Sequence, residues 1–173
     1  MALEIERKFL VDKHEWKKAK QYVAEREEII QGYLSHSPLC STRVRLYTPM
    51  TRDDNTSVQY AKITIKSKAR GITRDEFEYN IPPYDGEQLI KMCDGLVKKT
   101  RHWLRVYKDG EVNDCNLWSV DVFKGINRGL ILAEIELESE DEEFDIPDWV
   151  AREVTHDKRF SNRYLSKHKV VHK

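Results

Sequence analysis

Between Leu3 and Val11 apolar and charged positions alternate. Leu3, Ile5, Phe9 and Val11 share one side, Glu4, Glu6 and Lys8 share the other, and Arg7 is the exception. Successive side chains of a β-strand point to opposite faces, so this period predicts a strand with one apolar and one charged face. The same period returns along the chain. At Thr42–Leu46, Arg43 and Arg45 oppose Val44 and Leu46, and at Lys62–Lys66 the residues Lys62, Thr64 and Lys66 oppose Ile63 and Ile65. Arg74, Glu76 and Glu78 share a face before Tyr79, Lys99 and Arg101 open a further strand, and Trp118–Phe123 carries Asp121. Glu134, Glu136 and Glu138 line one face of Leu132–Glu138. An extended segment begins at Gln31-Gly32-Tyr33-Leu34, and Asp109-Gly110 is a two-residue hairpin signal.

Helical periods are fewer. Trp16, Ala19, Val23 and Ile30 mark a sparse apolar stripe that predicts a helix over His14–Ile30. Pro82-Pro83 ends a strand, and Asp85 with Gln88 resembles a capping box for a short helix carrying Leu89, Met92 and Cys93, closed by Gly95. Further helices are expected near Asp148–Val154 and over Ser161–His168, and Thr48–Thr56 and Ser139–Asp145 read as polar loops. With no repeat, linker or low-complexity stretch, residues 1–173 are expected to form a single domain. Some eight short strands with hairpin-like connections point to a β-rich α+β fold. The expected architecture is an eight-stranded antiparallel β-barrel around a tunnel, with flanking helices and a C-terminal helix.

Composition narrows the function classes. Lys+Arg and Asp+Glu both number 30, so the formal net charge is zero, which argues against a nucleic-acid coat or an anionic membrane as partner. No apolar run approaches the roughly 20 residues that span a bilayer, and charges begin at Glu4, so a cytoplasmic protein is expected. Cys40, Cys93 and Cys115 are odd in number and lack CxxC spacing, so they read as ordinary thiols and not as a disulfide framework or zinc site.

One alternating charged strand is usually a solvated outer face, and cross-strand ion pairs on an open sheet would account for several. Six or more such strands with mixed signs suggest a common interior. Unpaired charges cannot line a dry core, so the interior must be a wet tunnel that holds a charged ligand. Residues two apart on a strand face lie about 7 Å apart, so Glu134 and Glu136 repel by about 2 kcal/mol at an effective dielectric near 20. Glu4 and Glu6 raise the same problem, which a divalent cation resolves. Oxygen ligands without clustered His or Cys favour Mg²⁺ or Mn²⁺ over zinc. Clustered Arg and Lys favour a polyanion, and metal plus such a cluster is equipment for phosphoryl transfer. No GxxxxGK[ST] P-loop is present.

Glu4-Ile5-Glu6-Arg7-Lys8 resembles the ExExK signature of the CYTH superfamily, the triphosphate tunnel metalloenzymes. Gln31–Leu34, Arg43-Val44-Arg45, Thr64–Ser67, Arg74–Glu78, Lys99–Arg101, Asp121–Phe123 and Glu134–Glu136 follow in that family's order. Val154–Asn162 is similar to the C-terminal signature of its bacterial members. The resemblance implies an eight-stranded tunnel that binds triphosphates with divalent metal held by Glu4, Glu6, Asp121, Glu134 and Glu136. It implies that Arg43, Arg45, Lys66, Arg74, Lys99 and Arg101 grip phosphates, with Glu76 on the same substrate face. Lys8 and Tyr33 match a pair in bacterial members that hydrolyse tripolyphosphate and would position or deprotonate the attacking water, each tuning the other. The segment from Asp157 would close one tunnel end. Departures are the long Tyr47–Tyr60 loop and Ser41, where relatives often carry an acid. Inorganic tripolyphosphate is the expected substrate, split to pyrophosphate and phosphate by a monomer or homodimer. Thiamine triphosphate hydrolysis, class IV adenylate cyclase activity, and a non-catalytic polyphosphate- or nucleotide-binding module are the alternatives.

Overall fold

The computed structural model describes residues 2–37, 39–50, 58–107 and 115–171. Nine strands carry the fold: β1 (Ala2–Val11), β2 (Glu25–His36), β3 (Cys40–Pro49), β4 (Tyr60–Ser67), β5 (Thr73–Ile81), β6 (Leu96–Tyr107), β7 (Cys115–Phe123), β8 (Ile131–Glu136) and β9 (Val150–Glu153). They hydrogen-bond in the order β5-β4-β3-β2-β6-β7-β8-β1, and a β1–β5 pairing closes the ring into an eight-stranded antiparallel barrel. Closure leaves no long unpaired edge. β1 makes the seam. Glu6–Leu10 pair with β8 on one side, while on the other Ala2–Ile5 pair with β5 and Phe9 and Val11 with the extra strand β9.

Alternation then sorts the side chains. On the outer wall Ile5, Phe9, Trp118, Val120, Ala133 and Ile135 pack with Trp16 of helix α1 (Lys13–Ala19) and with Trp149. On the opposite side Val44, Leu46 and Ala61 are covered by Ile90 of helix α2 (Pro83–Lys91). A third cluster lies inside the barrel's closed end. There Leu10, Val97, Phe123 and Leu132 meet Phe160, Leu165 and Val170 of the C-terminal segment, which includes the one-turn helix α3 (Asn162–Leu165). Gly95 lets that segment approach, because a Cβ there would lie 2.6 Å from the Ser166 carbonyl oxygen.

Three expectations are corrected. The helix expected over His14–Ile30 ends at Ala19, followed by a 3-10 turn at Lys20–Tyr22, and Glu25–Ile30 belongs to β2. The Glu- and Arg-rich run favours helix locally, but pairing with both β3 and β6 satisfies its backbone, and tertiary context overrides propensity. Asp12 caps α1 by accepting from the amides of His14 and Glu15. Asp148–Val154 holds the strand β9 where a helix was expected, and α2 starts after Pro82 with no side-chain cap, so Asp85 and Gln88 form no capping box. The Asp109-Gly110 hairpin and most of the Thr48–Thr56 loop lie outside the described residues.

Candidate active site

The barrel encloses a cavity of about 690 Å³. Of the residues singled out in the sequence, Glu4, Glu6, Lys8, Tyr33, Arg43, Arg45, Lys66, Arg74, Glu76, Arg101, Glu134 and Glu136 line it. Lys99 and Asp121 do not: they sit in the wall behind the lining, both almost fully buried.

The wall is built as one chain of alternating charge. Lys99 Nζ meets Asp121 at 2.5 Å, Arg101 Nε meets Asp121 at 2.8 Å and Arg101 Nη2 meets Glu134 at 2.8 Å. Lys8 Nζ continues it to Glu134 at 2.9 Å and Glu6 at 3.8 Å, and Arg74 links Glu6 at 2.9 Å to Glu4 at 2.5 Å. Lys66 pairs with Glu4 and, at 3.3 Å, with Glu76, which reaches Arg43 at 3.6 Å. Strand register makes this possible, since Lys8 lies opposite Glu134, Glu4 opposite Arg74, Lys66 opposite Glu76 and Arg101 opposite Asp121.

Protonation follows the pairing. Burial opposes the charge on Glu4, but Lys66 and Arg74 outweigh it and hold the carboxyl at about 2. Burial likewise opposes the charges of Asp121 and Glu134, which Arg101 and Lys99 keep low for Asp121 and Lys8 and Arg101 keep low for Glu134. Burial would discharge Lys8, yet Glu134 and Glu6 hold its ammonium above the ordinary lysine range.

Two places in the wall are left out of balance. Glu136 makes no ion pair among the described residues, and burial together with Glu4 and Glu6 pushes its carboxyl up. Arg45 is buried and, among the described residues, has no carboxylate partner: its Nε donates to Gln31 Oε1 at 2.8 Å and its Nη1 to Tyr47 Oη at 3.2 Å. Beside it Arg43 donates to Thr64 Oγ1 at 3.2 Å, while its buried Nε has no partner, and burial and the neighbouring Arg45 pull its pKa down. The wall therefore has two adjacent guanidiniums short of negative charge at one place, and at another a carboxylate, Glu136, crowded by Glu4 and Glu6.

Glu4, Glu6 and Glu136, facing one lumen, fit a hard divalent cation by their oxygen-only donor set. Among the described residues, the acid and His side chains whose ligand atoms converge within 4.8 Å are Asp12, His14 and Glu15. That trio is exposed at the start of α1, and Asp12 there is already occupied as the helix cap.

Several lining residues escaped the sequence reading. Tyr47 and Tyr60 stack at 4.5 Å and Tyr60 donates to Glu27 at 2.7 Å; Lys62 and Glu78, already placed on charged faces by the period of two, pair beside them at 2.6 Å. Tyr47 and Tyr60 lie two residues beyond Arg45 and before Lys62, on the same faces, so the period of two would have reached them. Glu27 was hidden in the segment read as helix.

The CYTH domain profile matches residues 2–167. An inorganic triphosphatase of Acetivibrio thermocellus is 34% identical over 169 residues, covering 96% of this chain and 95% of that one. An inorganic triphosphatase of Nitrosomonas europaea is 37% identical over 139 residues, covering 79% and 82% respectively. A solved crystal structure of an inorganic triphosphatase superposes with a TM-score of 0.56 at 31% identity, covering 96% of this chain and 95% of that one.

Proposed function

The chain belongs to the CYTH domain family, and from that premise we propose that it is a metal-dependent hydrolase of triphosphates acting on inorganic tripolyphosphate. The observation that carries the reading is the unbalanced wall. Among the described residues the charge chain leaves Arg45 with no carboxylate, Arg43 with only Glu76 at 3.6 Å, and Glu136 without a cation. A triphosphate with a divalent ion supplies both.

In this reading Arg43 and Arg45 take the phosphate oxygens, with Lys66, Arg74 and Arg101 along the same lumen, and Glu76 keeps Lys66 and Arg43 in place. Lys99 acts from the wall, through Asp121. Glu4, Glu6 and Glu136 would hold Mg²⁺ or Mn²⁺, with Glu134 and Asp121 supporting them from their ion pairs. When bound, such an ion neutralises phosphoryl oxygens and orients the group being transferred. Lys8 serves as a cation beside the reacting phosphoryl group. An ammonium held charged by Glu134 and Glu6 donates hydrogen bonds and does not take a proton from water. Tyr33, on the lumen opposite Arg43 in the strand register, orients the attacking water through its hydroxyl. The C-terminal segment fills the closed end, which leaves water as the acceptor and excludes a bulky one.

Among the described residues no helix is long and apolar enough to cross a membrane. The test is phosphate release from tripolyphosphate, ATP and thiamine triphosphate, each with Mg²⁺, Mn²⁺ or chelator. Metal-dependent release from tripolyphosphate well above the other two is the expected result. Preference for thiamine triphosphate would move the substrate. Binding of triphosphate without release under any metal would reduce the protein to a binding module.

A further inference from the structure

Among the described residues Lys68 and Arg163 line the cavity without an ion pair, but every cation of the charge chain itself, except the Arg43–Arg45 pair, is closely held by a carboxylate. Lys8 meets Glu134, Lys66 and Arg74 meet Glu4, and Lys99 and Arg101 meet Asp121. Arg45 is instead held by a carboxamide, Gln31, which is 0% exposed and does not itself line the cavity. Gln31 lies opposite Arg45 on β3 and opposite Val97 on β6, so its backbone is fixed on both sides. Its Oε1 must be the atom toward Arg45, since the reverse orientation would set two donors against each other. That leaves Gln31 Nε2 buried with no partner.

A buried donor without a partner is unfavourable, and two near-isosteric alternatives would avoid it. Glutamate would replace the orphan with an ion pair, as at the other cations, and leucine would remove the polar group altogether. What glutamine alone provides is a fixed acceptor that carries no charge. We propose that Gln31 is a positioning residue that clamps the Arg45 guanidinium through Nε without neutralising it, keeping its charge available for a phosphate oxygen. This rests on the triphosphate reading above and adds to it the element that sets anion affinity.

The test compares Gln31→Glu with Gln31→Leu. Tripolyphosphate binding is measured calorimetrically in chelator, so that nothing turns over, and KM and kcat are measured with metal. Gln31→Glu keeps the clamp and cancels the charge: the expected result is a thermal midpoint no lower than wild type with Kd and KM raised about tenfold or more. Gln31→Leu keeps the charge and loses the clamp, and is expected to weaken binding less than Gln31→Glu. A residue that merely supported the fold would behave oppositely, with glutamate rescuing what leucine loses. Binding by Gln31→Glu within about twofold of wild type, or equal defects in both variants, would overturn the inference while leaving the triphosphatase reading standing. A wild-type protein that neither binds nor hydrolyses tripolyphosphate would overturn both. Should Gln31→Glu fail to fold, Gln31→Leu is repeated on Arg45→Ala. Loss of its effect on that background supports the clamp, and an unchanged, additive effect overturns it.

Discussion

Four strands of the barrel, β1, β6, β7 and β8, contribute inward side chains to two different regions. On β1 it runs Glu4, Glu6, Lys8 and then Leu10; on β6 it runs Val97 and then Lys99 and Arg101. β7 offers Phe123 before Asp121 in space, and β8 offers Leu132 before Glu134 and Glu136. Each strand passes from apolar to charged in one pleat repeat, about 7 Å. What differs is the cover. The apolar half is sealed by Phe160, Leu165 and Val170, whereas the charged half stays open as the cavity. A barrel's interior therefore has no single character. Side chains that see only protein are apolar, and those that see a ligand are charged and paired into a chain that a ligand can complete. Lys99 marks the border, fully buried with Asp121 on one side and the Phe123 ring 5.7 Å away on the other.

Attacking that border should have the largest effect. Asp121→Ala strands Lys99 in a dry wall and leaves Arg101 with Glu134 alone, and the expected loss is about 3–5 kcal/mol in chemical denaturation. A loss below about 1 kcal/mol would mean that water reaches these cations and that the border is not dry. Phe160→Ala tests the sealed half itself. Removing a ring that is 2% exposed should cost about 3–5 kcal/mol. A near-neutral result would show the C-terminal cover to be a lid lying loosely on the barrel.

The open half should respond in the other direction. Glu136→Gln removes the carboxylate that has no ion-pair partner among the described residues and that Glu4 and Glu6 repel. Turnover with metal should fall on the order of a hundredfold, about 2.7 kcal/mol in the barrier, while the thermal midpoint holds or rises. Unchanged phosphate release would remove Glu136 from the metal set, and a falling midpoint would show that the carboxylate is a stabilising group after all.

The two halves were unequally legible in the sequence. A charged residue at every second position is conspicuous, so the open half emerged almost complete from the period of two, down to Arg43, Arg45, Lys66, Arg74 and Glu134. The sealed half did not, because Leu10, Val97, Phe123 and Leu132 look like any other strand apolar residues, and only the fold brings Phe160 and Leu165 onto them. Arg7, the exception within the first strand, lies on the outer wall, where Glu153 of β9 pairs with it at 2.5 Å and the Phe144 ring lies 5.0 Å from it. That solution depends on a strand that reads locally as helix. Gln31 was visible within its motif, but its role was not: a carboxamide reveals its function only when the guanidinium it holds, and the carboxylate that is absent, are seen together.

The smallest effect separates the two faces of a single strand. Arg101 of β6 points into the charged wall, while His102 points out, half-buried edge-on against Trp16 at 5.4 Å, with Nδ1 3.3 Å from the Val120 carbonyl oxygen. Burial pulls the His102 pKa below its ordinary value of 6.5. In the window between that lower value and 6.5 the unfolded chain therefore binds a proton that the folded one refuses. The corresponding stability is fully present above about 6.5 and drains away as pH falls through the window, at no more than about 1.4 kcal/mol per pH unit from this one group. Urea unfolding of wild type and His102→Gln at several pH values between 7.5 and 5 should show the variant with the shallower dependence. Equal slopes would mean that the imidazole takes up its proton as readily in the folded wall as outside it. The outer face would then share the inner one's tolerance of charge, and the contrast between a dry exterior seam and a wet interior would fail at the strand where the two are closest.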